Sequence, residues 1–214
     1  MALVAWVICS AVVLSNMKLC FATNNLGKQQ EIKELLSDLD IEVVFPDDLP
    51  ECKDVQVIES GKTYQENSLI KARAYAEASG LLTAADDSGL AVEALNGQPG
   101  VQSARWIKGS DHDRNLALLQ ALKPFQNRLA KFETIISFYD PKTTDYRQFY
   151  GKVEGKIIKQ EMGSSGFGYD PIFKPIGHNK TFSQLSQREK NLISHRAIAF
   201  KDFKNHLKRL INRK

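Results

Sequence analysis

The stretch LLTAADDSGLAV, Leu81 to Val92, decides how the chain is read. Its apolar start, Leu81 to Ala85, has the composition of a buried strand, and the Ser88-Gly89 step reads as the turn that ends it, with Asp86 and Asp87 inside the turn. Successive side chains on a regular strand point to opposite faces, so the two aspartates can serve one metal ion only if the strand has already turned. Two readings stand side by side. A carboxylate at the carboxyl end of a strand supplies hard oxygen for a cation and a base for a water molecule. An Asp-Asp turn exposed to solvent does neither.

Outward from this stretch, strands alternate with helices. Upstream, TYQE (Thr63 to Glu66) is a capping box that opens a helix ending near Gly80. Lys18 to Thr23 reads as a strand, followed by a helix with Ile32, Leu35, Leu36 and Leu39 at helical spacing, and Ile41 to Phe45 as the next strand. Downstream, a helix is predicted from Ser110 to about Leu122, with Asp113 in its first turn. Ala130, Phe132, Thr134, Ile136 and Phe138 alternate along a strand, and DPKTTD turns the chain into YRQFYGKVEG. Phe200, Phe203, Leu207 and Leu210 fall on one face of a helix starting near His195, whose basic finish KNHLKRLINRK reads as its solvated side. Early alternation and later hairpins predict an α/β class with a mixed central sheet flanked by helices.

The chain has 214 residues, 43% of them hydrophobic and 25% charged, enough for a sizeable core and against disorder. The net charge of +4 comes with no zinc-finger spacing, no RNA-binding aromatic string and no basic stripe, which excludes a dedicated nucleic-acid binder. Cys9, Cys20 and Cys52 fit neither a metal site nor a disulfide framework, so a reducing, cytoplasmic setting is expected. Ala2 to Leu14 is apolar, yet short for a membrane helix, with no basic residues before it and no small-residue cleavage site. Met1 to Asn16 is read as an extension before a single domain that starts at Met17, and no membrane partner is expected.

The connections carry the chemistry. TNNLGK (Thr23, Asn24, Asn25, Leu26, Gly27 and Lys28) joins the first strand to the first helix; it is either a phosphate-binding helix start or a plain capped turn. Gly61-Lys62-Thr63 is no P-loop, because Gln56 stands where that motif needs glycine. Glu59 precedes the capped helix and can face a pocket at the strand ends, whereas Glu66 belongs to the cap and Lys71, taken by itself, reads as a solvent-facing lysine. GSSGFGYDPIF, Gly163 to Phe173, can lay Phe167 or Tyr169 against a base, or be a glycine-rich turn among core aromatics. Lys190, His195 and Arg196 flank a break between two helices, and His112, His178, His195 and His206 lack zinc-ligand spacing.

Five of these motifs in one order, FATNNLGK, ESGKTYQENSLIKARAYA, ADDSGLAVEALNGQPGVQSARW, GFGYDPIF and SHRAIAF, resemble the inosine triphosphate pyrophosphatase family, the non-canonical purine nucleoside triphosphate pyrophosphatases. The resemblance covers the chain from Lys18 onward. It implies an elongated two-lobed α/β fold with a cleft between the lobes, a homodimer, and hydrolysis of ITP, dITP, XTP and dXTP to monophosphate and pyrophosphate. Carried over by motif, Thr23 to Lys28 would hold the triphosphate, and Glu59 with Asp87 would bind Mg2+. Asp87 would accept the proton of the attacking water, with Asp86 in support and Ser88 touching the substrate. Phe167, Gly168, Tyr169 and Asp170 would line the nucleoside pocket, Lys190, His195 and Arg196 would meet the purine and its keto oxygen, and Lys71 would help neutralise phosphate. The GFGYDPIF and SHR segments favour this family over the Maf nucleotide pyrophosphatases, and intact Glu59 and Asp87 favour an enzyme over a module that only binds nucleotide.

Overall fold

A computed structural model describes residues 17–212. The extension read into Met1 to Asn16 lies outside them, as does Cys9. Among the described residues six strands form one mixed sheet, and the fold is α/β as the alternation predicts. In chain order the elements are β1 (Met17–Phe21), α1 (Leu26–Leu36), β2 (Ile41–Val44), α2 (Tyr64–Ser79), β3 (Leu82–Val92), α3 (Asp111–Ala121), β4 (Leu129–Tyr139), β5 (Tyr146–Ile157), β6 (Phe173–Pro175), α4 (Gln187–Ile193) and α5 (His195–Ile211). The sheet order is β2-β1-β3-β4-β5-β6, with β1 parallel to β2 and β3 and all later pairs antiparallel. Among the described residues no helix is long and apolar enough to cross a membrane.

One reading is corrected. The chain does not turn at Asp86 and Asp87: β3 runs straight through them, with Asp86 opposite Ile136 and Asp87 opposite Ile135 on β4. Gly89, the residue that suggests a turn, serves close approach instead. A Cβ there would lie 2.2 Å from the Gly100 carbonyl oxygen and 2.6 Å from Ser103 Oγ, closer than any side chain tolerates.

The long strands β3, β4 and β5 tie two lobes together. In the first, alternation sends Phe21, Ala84 and Ile136 toward α1 and α5, where they join Ile32, Phe200 and Phe203. It sends Cys20, Ala22 and Ala85 to the other face, against Ala72 and Ala76 of α2. The helix faces read from the sequence hold here: Phe203 and Leu207 of α5 are buried, and Lys204 on its outer side pairs with Asp38. In the second lobe Leu90, Val92, Phe132 and Ile157 gather with Leu118 and Leu122 at the end of α3 and with Phe173 and Phe182. β1 reaches only to Ala84 on β3, with Ala22 N donating to Ala84 O at 2.7 Å. The next contact on that edge comes at Leu90, whose N–H donates to Ser103 Oγ at 2.9 Å. Between them Asp86 to Gly89 lie where the sheet partner changes, a crevice at a strand's carboxyl end of the kind that receives ligands in α/β sheets.

Candidate active site

At this crevice opens a cavity of about 560 Å³, within the range of small-molecule sites. Its first corner is the start of α1. Asn25 caps the helix, accepting from Lys28 N at 3.0 Å, and no acidic side chain occupies the first turn, so the positive helix end is left for an anion. Thr23, Asn24, Asn25 and Lys28 line the cavity. Leu26 does not; it is 77% exposed at the rim. Gly27 does not line it either, but a Cβ there would lie 2.7 Å from Phe167 Cδ1, so this glycine admits the aromatic wall.

The second corner is the carboxylate group. Asp87 and Ser88 line the cavity from β3, while Asp86 is buried between Lys28 Nζ at 3.0 Å and Arg196 Nη2 at 3.1 Å, two cations that themselves line it. Lys71 is not solvent-facing. Its Nζ stands between the acids, 2.9 Å from Glu59 Oε1 and 3.6 Å from Asp87 Oδ1. The cap that aims it is formed as read: Thr63 Oγ1 accepts from Glu66 N at 3.2 Å, and Glu66 Oε2 accepts from Thr63 N at 3.1 Å. Glu59 also accepts from Arg105 Nη1 at 3.0 Å.

The carboxylates differ because their surroundings do. Burial raises Asp87 above the ordinary aspartate range, with Lys71 and Lys28 only partly opposing it. Burial also works against Asp86, but Lys28 and Arg196 outweigh it and hold that carboxyl well below the usual range. Glu59 is lowered as well, its burial outweighed by Lys71 and Arg105. Asp87 Oδ2 is buried without a well-formed hydrogen bond, next to the Asn67 amide whose oxygen is turned away to accept from Gly61 N at 2.8 Å. Two hard carboxylates, one with an orphaned oxygen, fit a divalent cation that completes its shell with water and phosphate. Among the described residues no third Asp, Glu, His or Cys joins them.

The third corner is built from the glycine-rich loop and the break between α4 and α5. Ser194 ends α4 and caps α5, which brings Lys190 and Arg196 in from two helices. Lys190 Nζ lies 2.6 Å from Asp170 Oδ2, 2.7 Å from Glu31 Oε1 and 4.7 Å from the Phe167 ring centroid. Arg196 pairs with Glu31 and Asp86, and its Nη2 donates to Ser88 Oγ at 3.3 Å. The His195 ring stacks on Phe132 at 4.8 Å; burial, then Arg196 and Lys190, push it far toward the neutral form. Tyr169 lines the wall but spends its hydroxyl on Ser103 O at 3.0 Å, and Gly168 N donates to Asp111 Oδ2 at 2.6 Å. All of Phe167, Gly168, Tyr169, Asp170, Lys190, His195 and Arg196 face the one cavity.

Four participants escaped the sequence reading: Glu31, Asn67, Arg105 and Asp111. Glu31 and Asn67 were within reach of it. Glu31 sits beside Ile32 and one turn after Lys28 on α1, and Asn67 precedes Lys71 by one turn on α2, so each shares a helix face with a residue already chosen. Arg105 and Asp111 meet their partners only through the tertiary fold.

Comparison with known proteins agrees with this construction. The profile of the Ham1 family matches residues 19–206. The dITP/XTP pyrophosphatase of Symbiobacterium thermophilum is 42% identical over 189 residues, 87% of this chain and 92% of that protein, and the one from Aquifex aeolicus is 42% identical over 203 residues, 90% and 97%. Among solved structures, the Staphylococcus aureus Ham1 protein superposes with a TM-score of 0.79 at 38% identity, covering 89% of this chain and 98% of that one. A HAM1 protein from Coxiella burnetii does so with 0.81 at 36%, covering 90% and 99%. With a match across nearly all of the described sequence and the same fold beneath it, the chain belongs to the Ham1 family.

Proposed function

We propose that the protein hydrolyses non-canonical purine nucleoside triphosphates, ITP, dITP, XTP and dXTP, to the monophosphate and pyrophosphate. The observation that carries the reading is a single cavity with Lys28, Lys71, Glu59 and Asp87 at one end and Phe167, Lys190, His195 and Arg196 at the other. One end suits a polyphosphate and the other a base. The dITP/XTP pyrophosphatase names of the relatives support the same substrate class.

Glu59 and Asp87 would hold Mg2+, which neutralises phosphate charge and polarises a water molecule when bound. Asp87 would take the proton of the attacking water, for which its Oδ2, buried without a well-formed hydrogen bond, is free to accept. Lys28, Lys71 and the start of α1 meet the charge that grows on the departing pyrophosphate. At the base end Phe167 stacks on the purine. Arg196, clamped by Glu31 and Asp86, and His195 offer donors to a 6-keto oxygen. An adenine amino group would face donor against donor, at a cost of about 1–3 kcal/mol for the unpaired group. On the resemblance alone, we propose a homodimer acting in the cytoplasm.

The test measures pyrophosphate release with Mg2+ from ITP, XTP, GTP, ATP and TTP, for the natural protein and Asp87→Asn. Turnover of ITP and XTP well above ATP, nearly abolished in Asp87→Asn, is expected. Equal rates on ATP and ITP refute the specificity, and an undiminished Asp87→Asn refutes the proton acceptor.

A further inference from the structure

We infer that Arg105 stands in for a divalent cation on Glu59 in the resting protein and passes to the substrate's polyphosphate when cation and substrate arrive, an assignment that rests on the reading of Glu59 and Asp87 as metal ligands. Both oxygens of Glu59 are already covered by positive groups. Lys71 Nζ lies 2.9 Å from Oε1, and Arg105 Nη1 lies 3.0 Å from Oε2. A cation that approaches Glu59 meets a positive group on either oxygen, and repulsion favours releasing one of them.

Arg105 is the one built to move. Its Nε donates to Gln102 Oε1 at 2.8 Å, which anchors one edge of the guanidinium; the other edge reaches Glu59 Oε2 and, at 3.5 Å, the Glu59 backbone oxygen, and with the side chain 43% exposed water replaces both at little cost. Lys71 is held more tightly, with a side chain only 14% exposed and a second acid beside it. Ser103 and Ala104, immediately before Arg105, line the cavity, so the released guanidinium starts at its wall. Guanidinium groups bind phosphate oxygens through paired N–H donors, which gives the freed side chain a partner there.

Charge makes the two arrivals interdependent. Glu59 and Asp87 are balanced by Lys71 and Arg105 as they stand. A divalent cation entering alone leaves this group with two excess positive charges, whereas one entering with a triphosphate, whose negative charge exceeds the cation's positive charge, leaves no positive excess. Free metal is therefore held weakly and metal with nucleotide strongly, and Arg105 helps to set the difference.

Mn2+ is the probe, with the free ion counted by electron paramagnetic resonance at low ionic strength. It is titrated into the natural protein, Arg105→Gln and Arg105→Lys, each with and without the α,β-methylene analogue of ITP, and KM for ITP with Mg2+ is measured alongside. Arg105→Gln should bind free Mn2+ roughly two- to fivefold tighter, the worth of a half-exposed ion pair that no longer competes. The same variant should raise KM about tenfold, the worth of a charge-assisted hydrogen bond to phosphate. Arg105→Lys should fall between. General damage to the site weakens both measurements, so tightening of one with weakening of the other is specific to this exchange. Mn2+ binding that is unchanged or weaker in Arg105→Gln overturns the inference while leaving the metal reading intact. A natural protein that takes up no Mn2+, with or without the analogue, overturns the metal reading itself.

Discussion

Replacing Glu31 by Gln should destabilise the protein by about 3 kcal/mol, because it uncovers buried positive charge. Glu31 is 1% exposed and pairs with both Lys190 and Arg196. The surrounding cluster holds three acids, Glu31, Asp86 and Asp170, against three bases, Lys28, Lys190 and Arg196, so it is neutral as it stands. Breaking a buried pair from one side costs about 3–5 kcal/mol. The lower end applies, since Lys190 keeps Asp170 and Arg196 keeps Asp86. Urea denaturation is the assay, because guanidinium chloride would screen the charges under test. For a chain of this size the loss corresponds to a melting temperature lower by about 6–12 °C. Adding Lys190→Met removes the excess charge, so the double variant should lose at least about 1 kcal/mol less than the two single losses added together. A loss below about 1 kcal/mol in Glu31→Gln, or strict additivity in the double variant, refutes the charge accounting.

Gly89→Ala should cost about 1–3 kcal/mol in thermal denaturation, because the new methyl meets the backbone oxygen of Gly100 at 2.2 Å; an unchanged melting temperature contradicts the close-approach role. Thr63→Ala removes the side-chain cap of α2 and should cost about 1 kcal/mol, largely restored in Thr63→Ser; equal losses in the two, read by urea denaturation, contradict the cap. Acid should unfold the protein. Asp86 and Glu31 have carboxyls lowered in the folded state, Asp86 most, so their stabilisation is complete above the unfolded value of about 4 and is lost as the pH falls below it. Circular dichroism between pH 7 and pH 2 checks this, and Asp86→Asn should flatten the acid limb.

What the sequence revealed followed locality. The Thr63 box, the left-handed Gly80 that ends α2, and the alternating burial of Ala130, Phe132 and Thr134 depend on neighbours within a few positions, and all were legible. So was the family, whose motifs survive as short strings. The course of β3 was not. A turn signal and a close-approach signal are the same letter, and only Gly100 and Ser103 arriving from another part of the chain distinguish them. Lys71 was not legible from its own surroundings for a related reason: one lysine in a helix says nothing of its direction until Glu59 and Asp87 are brought to it. The roles of the cavity residues came from motif resemblance, whereas the buried charge cluster, with Glu31 at its centre, came only from three-dimensional contacts.

The two aspartates divide their work because the strand does not turn. Asp87 lines the cavity, whereas Asp86, on the strand face it shares with Ser88, is buried: Lys28 takes its Oδ1 and Arg196 takes its Oδ2. Lys28 belongs to the phosphate corner and Arg196 to the base corner, so one buried carboxylate holds a cation from each end of the cavity. If Lys28 meets phosphate and Arg196 the base, as proposed, a phosphate that draws Lys28 away leaves the whole charge of Asp86 to Arg196. A turn at this point would have exposed both carboxylates to water and cut that link. The uninterrupted strand is what leaves the neighbouring residues, identical in chemistry, in different surroundings: Asp87 at the cavity with an oxygen free of a well-formed hydrogen bond, Asp86 buried between two cations.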